Sequence, residues 1–164
     1  MSYYMNADEI LAVGAQVERN GKAFYEAAAL GATDTAVASL CRELAAWEEH
    51  HVEIFEKLRR TLPELARDGG AFDPQDEVQA YVKSAADNHI FLKNLDPVAL
   101  AADCKTGRDI LARAMEFEKD SVVFYSALKR VVPDAQGRDA LDVLIDEELR
   151  HLQILSAQRD RLDP

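Results

Sequence analysis

The chain repeats itself at an offset of one hundred residues, and this constrains the fold more than any other feature. Ile10-Leu11-Ala12 returns as Ile110-Leu111-Ala112, Glu18 as Glu118, and Phe24-Tyr25 as Phe124-Tyr125. Leu44 returns as Leu144, and the pair Glu48/His51 as Glu148/His151. No gap is needed. The repeated unit spans two helical stretches, longer than the common solenoid periods, and it occurs only twice. Such a duplication implies a pseudo-twofold helical bundle in which equivalent residues of the two halves converge on the axis.

The helical reading follows from periodicity and punctuation. Long stretches rich in Ala, Leu, Glu and Arg favour helix, and the 164 residues contain only seven Gly and five Pro. Asn6 with Glu9 three residues on is a capping-box signal for a first helix over about residues 7–30, with Gly31 as its stop. Thr33 or Asp34 can cap a second helix over 34–62, ended by Pro63. Thr106 with Asp109 opens a third over 107–131, ahead of Pro133, and a fourth runs over 135–162. Between them, residues 63–105 break the pattern: Asp73-Pro74 and Asp96-Pro97 each place a cap before a proline at a helix start. This segment is expected to be a long crossover holding one or two short helices, which lets the second and third long helices run parallel. The length suits one domain, residues 1–164, with a sizeable core.

Composition excludes several function classes. A net charge of −11 argues against nucleic acid as a partner, since a phosphate backbone calls for a basic surface. No run of about 18 apolar residues is present to span a membrane, and Met1–Glu9 has neither a basic start nor an apolar signal core. A cytoplasmic location is expected. Cys41 and Cys104 form no Cys-x-x-Cys, so no rubredoxin or zinc-ribbon module is expected and both read as small packing residues. The acidity has two sources that can coexist, a solvated helical surface and carboxylates used as metal ligands inside the fold.

The repeated polar residues sit on apolar stripes. The first helix gives Leu11, Ala15, Glu18, Gly21/Lys22, Tyr25, Ala28, and the third gives Leu111, Ala114, Glu118, Ser121/Val122, Tyr125, Leu128. The second gives Cys41, Leu44, Glu48, His51, Phe55, Leu58, and the fourth gives Leu141, Leu144, Glu148, His151, Leu155. Residues three apart on a helix share a face, so each Glu-x-x-His points a carboxylate and an imidazole the same way. A buried carboxylate costs several kcal/mol unless it is paired or binds a metal. Four of them in one core require compensating cationic charge, and two divalent ions supply it. One Glu from each of two helices with a Glu-x-x-His from each of the others is the ligand pattern of ferritin-like di-iron carboxylate proteins. The oxygen and nitrogen set suits iron or manganese, with zinc a frequent substitute.

On these motifs the chain resembles the rubrerythrin-like branch of that superfamily. They are Glu18…Phe24-Tyr25, the run from Glu48 to Leu58, Glu118-Lys119-Asp120-Ser121…Phe124-Tyr125, and Glu148-Leu149-Arg150-His151. The resemblance implies a non-haem site of two iron ions, a homodimer, and reduction of hydrogen peroxide or oxygen with electrons from an external donor such as a rubredoxin-like protein. An iron-handling or storage protein without turnover is the alternative, and a bundle that metals only stabilise is a third. The resemblance further implies Glu48 and Glu148 as bridging ligands, with Glu18 and Glu118 each binding one ion at the ends. Two features depart from the family: no rubredoxin module is present, and Ser121 stands where a second carboxylate follows the ligand of the third helix.

The neighbouring residues carry softer expectations. Tyr25 and Tyr125 either hydrogen-bond a ligand carboxylate or pack as plain aromatics. Asp120 is expected to support His51 or His151, because a ligating imidazole usually donates its other N–H to a carboxylate. Glu49, His50 and Glu147 fall off the stripe and are expected to face solvent. His89 could approach or gate the site but is expected to be a surface or loop-packing histidine, and Trp47 is expected to pack at a subunit or helix interface.

Overall fold

The computed structural model describes residues 6–63, 82, 84–86, 89, 96–130, 132 and 135–162. Every regular element among them is a helix: α1 (Ala7–Gly31), α2 (Thr35–Thr61), α3 (Pro97–Asp103), α4 (Gly107–Leu128) and α5 (Ala135–Leu162).

The starts of these helices are chemical. The Asn6 side chain accepts from the Glu9 amide at 2.9 Å, and Glu9 accepts in return from the Asn6 amide at 2.8 Å. Asp34, rather than Thr33, caps α2, accepting from the Ala36 and Val37 amides at 2.9 Å. Thr106 and Asp109 form a second capping box at α4. Each satisfies donors that the first turn leaves open. The ends differ more from expectation. Gly31 is the last residue of α1, and the stop is made by extended Ala32, whose amide still reaches the Ala28 carbonyl at 2.9 Å. α4 ends at Leu128, three residues before the expected 131, in a tightened turn where the Arg130 amide bonds the Ala127 carbonyl.

Two close contacts and one ring pair set the helix directions. Gly14, early in α1, lies under Phe55, late in α2; a Cβ there would sit 2.5 Å from the ring, so α1 and α2 are antiparallel and pressed together. A Cβ added at Gly107, opening α4, would meet Val37 at the start of α2 and Leu162 at the end of α5. Phe55, late in α2, meets Tyr125, late in α4, with ring centroids 5.2 Å apart. The second and third long helices therefore run parallel, as the crossover was expected to allow. Of that crossover, α3 is capped by Asp96 with Pro97 in its first turn and packs on α1. The expected helix start at Asp73-Pro74 lies outside the described residues.

The four stripes face one interior. Leu11, Ala15, Phe24, Tyr25, Leu44, Phe55, Leu111, Phe117, Phe124, Tyr125, Leu141 and Leu144 are all buried in a single cluster. Burial of this apolar surface, at roughly 25 cal/mol per Å², is the main force holding the bundle. Cys41 is buried and Cys104 half-buried, both free thiols. No helix among the described residues is long and apolar enough to cross a membrane.

Candidate metal centre

Into this apolar interior the four long helices bring six polar side chains. Glu18 comes from α1, Glu48 and His51 from α2, Glu118 from α4, and Glu148 and His151 from α5. The four carboxylates and His51 are inaccessible to solvent, and His151 nearly so. They form two overlapping groups, Glu18/Glu48/His51/Glu148 and Glu48/Glu118/Glu148/His151, whose potential ligand atoms lie within 4.8 Å of one another. Glu48 and Glu148 belong to both.

The imidazoles turn Nδ1 inward. His51 Nδ1 lies 3.0 Å from Glu148 Oε1, 3.4 Å from Glu48 Oε2 and 3.7 Å from Glu18 Oε2. His151 Nδ1 lies 3.0 Å from Glu148 Oε2 and 3.8 Å from Glu118 Oε1. Glu148 thus turns one oxygen to each histidine, and the two rings stack with centroids 5.8 Å apart.

Charge makes this interior costly without cations. Burial, the largest influence, raises the pKa of Glu18 and pushes those of Glu48 and Glu118 well up; neighbouring carboxylates add to the rise at Glu48 and Glu118, while Glu48 and His51 moderate it at Glu18. Burial opposes ionisation of Glu148 as well, but the His51 charge and hydrogen bonds from both histidines outweigh it and hold that carboxyl below its usual range. Burial also opposes the charged imidazoles. For His51 the charge of Glu148 and hydrogen bonds to Glu147 and Glu148 overcome it; for His151, the neighbouring carboxylates of Glu118 and Glu148 lift the pKa to about 10. Protons on both residue types thus take up charge that cations would otherwise balance.

Hydrogen bonding leaves a matching shortfall. Both oxygens of Glu18 and of Glu48, Glu118 Oε2 and the Tyr125 hydroxyl are buried and have no hydrogen-bond partner among the described residues. Buried polar atoms are rarely left this way in a folded protein. Their clustering in one place, on hard oxygen and imidazole donors, fits a pair of first-row divalent ions.

The surroundings both match and correct the sequence reading. Tyr25 donates its phenol to Glu118 Oε1 across the bundle, so it supports a carboxylate as well as packing against Phe24 and Phe117. Tyr125 packs on Phe55 and Phe124 but has no hydroxyl partner. The carboxylate that takes the outer nitrogen of His51 is Glu147, with Nε2 and Oε2 2.9 Å apart, in place of the expected Asp120. Glu147 is therefore half-buried at the α2–α5 seam rather than facing solvent. Glu49 and His50 are exposed, with Glu49 paired to Lys22. Half-buried Asp120 lies on α4.

His89 is not at the surface. It is fully buried, with Nε2 3.2 Å from Ser121 Oγ. Trp47 packs at a helix interface, its ring 6.0 Å from that of His151 and beneath the guanidinium of Arg150. The pairing of Glu147 had one sequence signal, an acid immediately before a ligand candidate on the flank facing α2. The pairing of His89 with Ser121 had none.

A family model described as Rubrerythrin matches residues 9–159. No curated protein matches the chain. Among solved structures, a protein of Thermotoga maritima described as ferritin-like and diiron-carboxylate is similar, with a TM-score of 0.69 and 23% identity over 98% of each chain. At that identity the likeness speaks for the fold: an all-helical, ferritin-like bundle.

Proposed function

The chain belongs to the rubrerythrin family, and from that premise we propose that it is a non-haem di-iron oxidoreductase that reduces hydrogen peroxide or oxygen. The observation that carries this reading is the cluster of buried carboxylate oxygens without partners, surrounding two overlapping groups of ligand atoms. Glu18 and His51 would hold one ion and Glu118 and His151 the other, with Glu48 and Glu148 shared between them. Two iron ions there would supply one electron each to a bound oxidant.

The chain's own residues would provide the rest. Glu147, accepting from His51 Nε2, leaves Nδ1 as the lone-pair nitrogen facing the centre. Tyr25 fixes the orientation of Glu118. Phe55, Phe117 and Phe124 enclose the centre in apolar surface and exclude bulk water, which strengthens every electrostatic interaction inside. With no Cys-x-x-Cys in the chain, electrons would come from a separate donor, such as a rubredoxin-like protein.

Anaerobic loading with Fe(II) followed by peroxide tests the proposal. Rapid oxidation of two irons per chain, repeatable after re-reduction, is the expected result. Continued uptake of many irons per chain would favour an iron-storage role, and an unreactive pair of ions would leave a structural one.

A further inference from the structure

His89 stands outside the six-residue set yet shares its interior. Its ring sits edge-on to Phe117 and Phe124, with centroids 5.7 and 6.2 Å away, and its Nε2 meets Ser121 Oγ. Burial pushes its pKa down to about 4, against the opposing field of Glu148, so the imidazole is neutral at neutral pH. Ser121 is itself buried and lies three residues beyond Glu118 on α4, so its hydroxyl is presented on the helix face that carries Glu118.

The pseudo-equivalent position on α1 shows what packing alone would use. It is Gly21, and the ring of Phe117 fills the space where its side chain would stand, 2.5 Å from an added Cβ. At one of the two equivalent positions the interior is closed by an aromatic ring. At the other it keeps a hydroxyl and an imidazole, polar groups whose burial costs free energy that an apolar pair would not.

We infer that the His89–Ser121 pair is the polar wall of a position for an external ligand on the ion held by Glu118 and His151, suited to a small anion or a peroxide-sized molecule. The inference rests on the metal-binding reading above. That ion would receive four side chains, and hard first-row ions with oxygen and nitrogen donors commonly take six ligand atoms, which leaves room for a molecule from outside. In the tautomer that carries its proton on Nε2, the neutral His89 donates to Ser121 Oγ, 3.2 Å away. The hydroxyl hydrogen is then left to point at the incoming ligand. His89 acts through Ser121 and is a positioning residue.

Azide, a small linear anion, is the probe, and cobalt(II) is a redox-inert reporter whose visible bands change when an anion binds. The full chain is loaded with cobalt, its metal content is measured, and it is titrated with azide. The wild type is expected to hold two cobalt ions per chain and to show a saturable change. Removing a hydrogen bond to an anion lowers affinity roughly ten- to a hundredfold, so Ser121→Ala should weaken azide binding by about tenfold or more with cobalt content unchanged. His89→Phe should weaken it similarly, His89→Gln should restore most of it, and the double variant Ser121→Ala/His89→Phe should be no weaker than Ser121→Ala alone. Wild-type azide affinity in Ser121→Ala overturns the inference even if His89→Phe proves unstable, and so does a cobalt-loaded wild type that ignores azide. Failure of the wild type to bind cobalt overturns the metal-binding reading itself, and this inference with it.

Discussion

The two halves of the bundle bring the same three side chains each, Glu18, Glu48 and His51 against Glu118, Glu148 and His151, but frame them differently. In the first half Gly21 lets the ring of Phe117 press onto α1; in the second, the same position is Ser121, bonded to His89. Tyr25 reaches Glu118 across the axis, whereas Tyr125, its counterpart, has no partner although Glu18 has two unpartnered oxygens. His51 leans on Glu147, and His151 lies beside Trp47. Duplication explains the shared core of the site. What differs is the layer behind it, which flanks the repeated ligands with different side chains in the two halves.

The sharpest break of this near-symmetry is predicted at Glu148, which faces both histidines. Replacing Glu148 and His151 together by Ala should abolish binding of one or both ions, read as metal per chain by elemental analysis; retained metal content would sink the ligand assignment. Glu148→Ala alone should lose more metal than His151→Ala, since only the former residue belongs to both groups.

Proton competition comes next. Metal must displace protons held on raised carboxylates and imidazoles, so affinity should climb with pH, by more than tenfold per unit where more than one proton leaves. The metal-free protein should behave in the opposite sense. His151, lifted to about 10 in the fold from an ordinary 6.5, contributes stability that is complete below pH 6.5 and lost as pH rises to about 10. The raised Glu18, Glu48 and Glu118 act in the same direction, favouring the fold when protonated and losing that contribution as pH rises through their folded values. Thermal melts of the apoprotein should therefore shift down between pH 6.5 and 10, while the loaded protein gains.

Glu147→Gln then tests one half against the other. Loss of such an outer carboxylate typically costs ten- to a hundredfold in metal affinity. The deficit should fall on the ion beside His51, leaving the first metal equivalent bound as in wild type in a stepwise titration. Equal weakening of both steps would mean that the halves are coupled more tightly than their geometry implies.

The smallest effect concerns the tyrosines. In the apoprotein, Tyr25→Phe should lower stability by about 1 kcal/mol through its lost hydrogen bond. Tyr125→Phe should cost less, because the hydroxyl it removes is unpaired. Chemical denaturation of the two variants side by side makes the comparison direct.

Much of the molecule was legible in the chain because helical period and duplication reinforce each other. A stripe such as Cys41, Leu44, Glu48, His51, Phe55 identifies its own buried face, and a second copy one hundred residues on says which polar members to take seriously. Capping chemistry was equally readable at Asn6, Asp34 and Thr106, since a cap depends on three or four consecutive residues. Contacts made across elements were not. Glu147 falls off its own stripe, yet the seam between α2 and α5 is narrow enough for its carboxylate to reach His51. His89 lies in the crossover, where no period announces a buried face, and its partner is 32 residues away.

Trp47 has a practical consequence. It is the chain's one tryptophan, 39% exposed, with its indole 6.0 Å from the ring of His151. The protein's near-ultraviolet emission therefore originates beside a single edge of the proposed centre. A paramagnetic ion arriving there would quench this light at short range, so metal entry into the centre could be followed in an unlabelled sample on stopped-flow timescales.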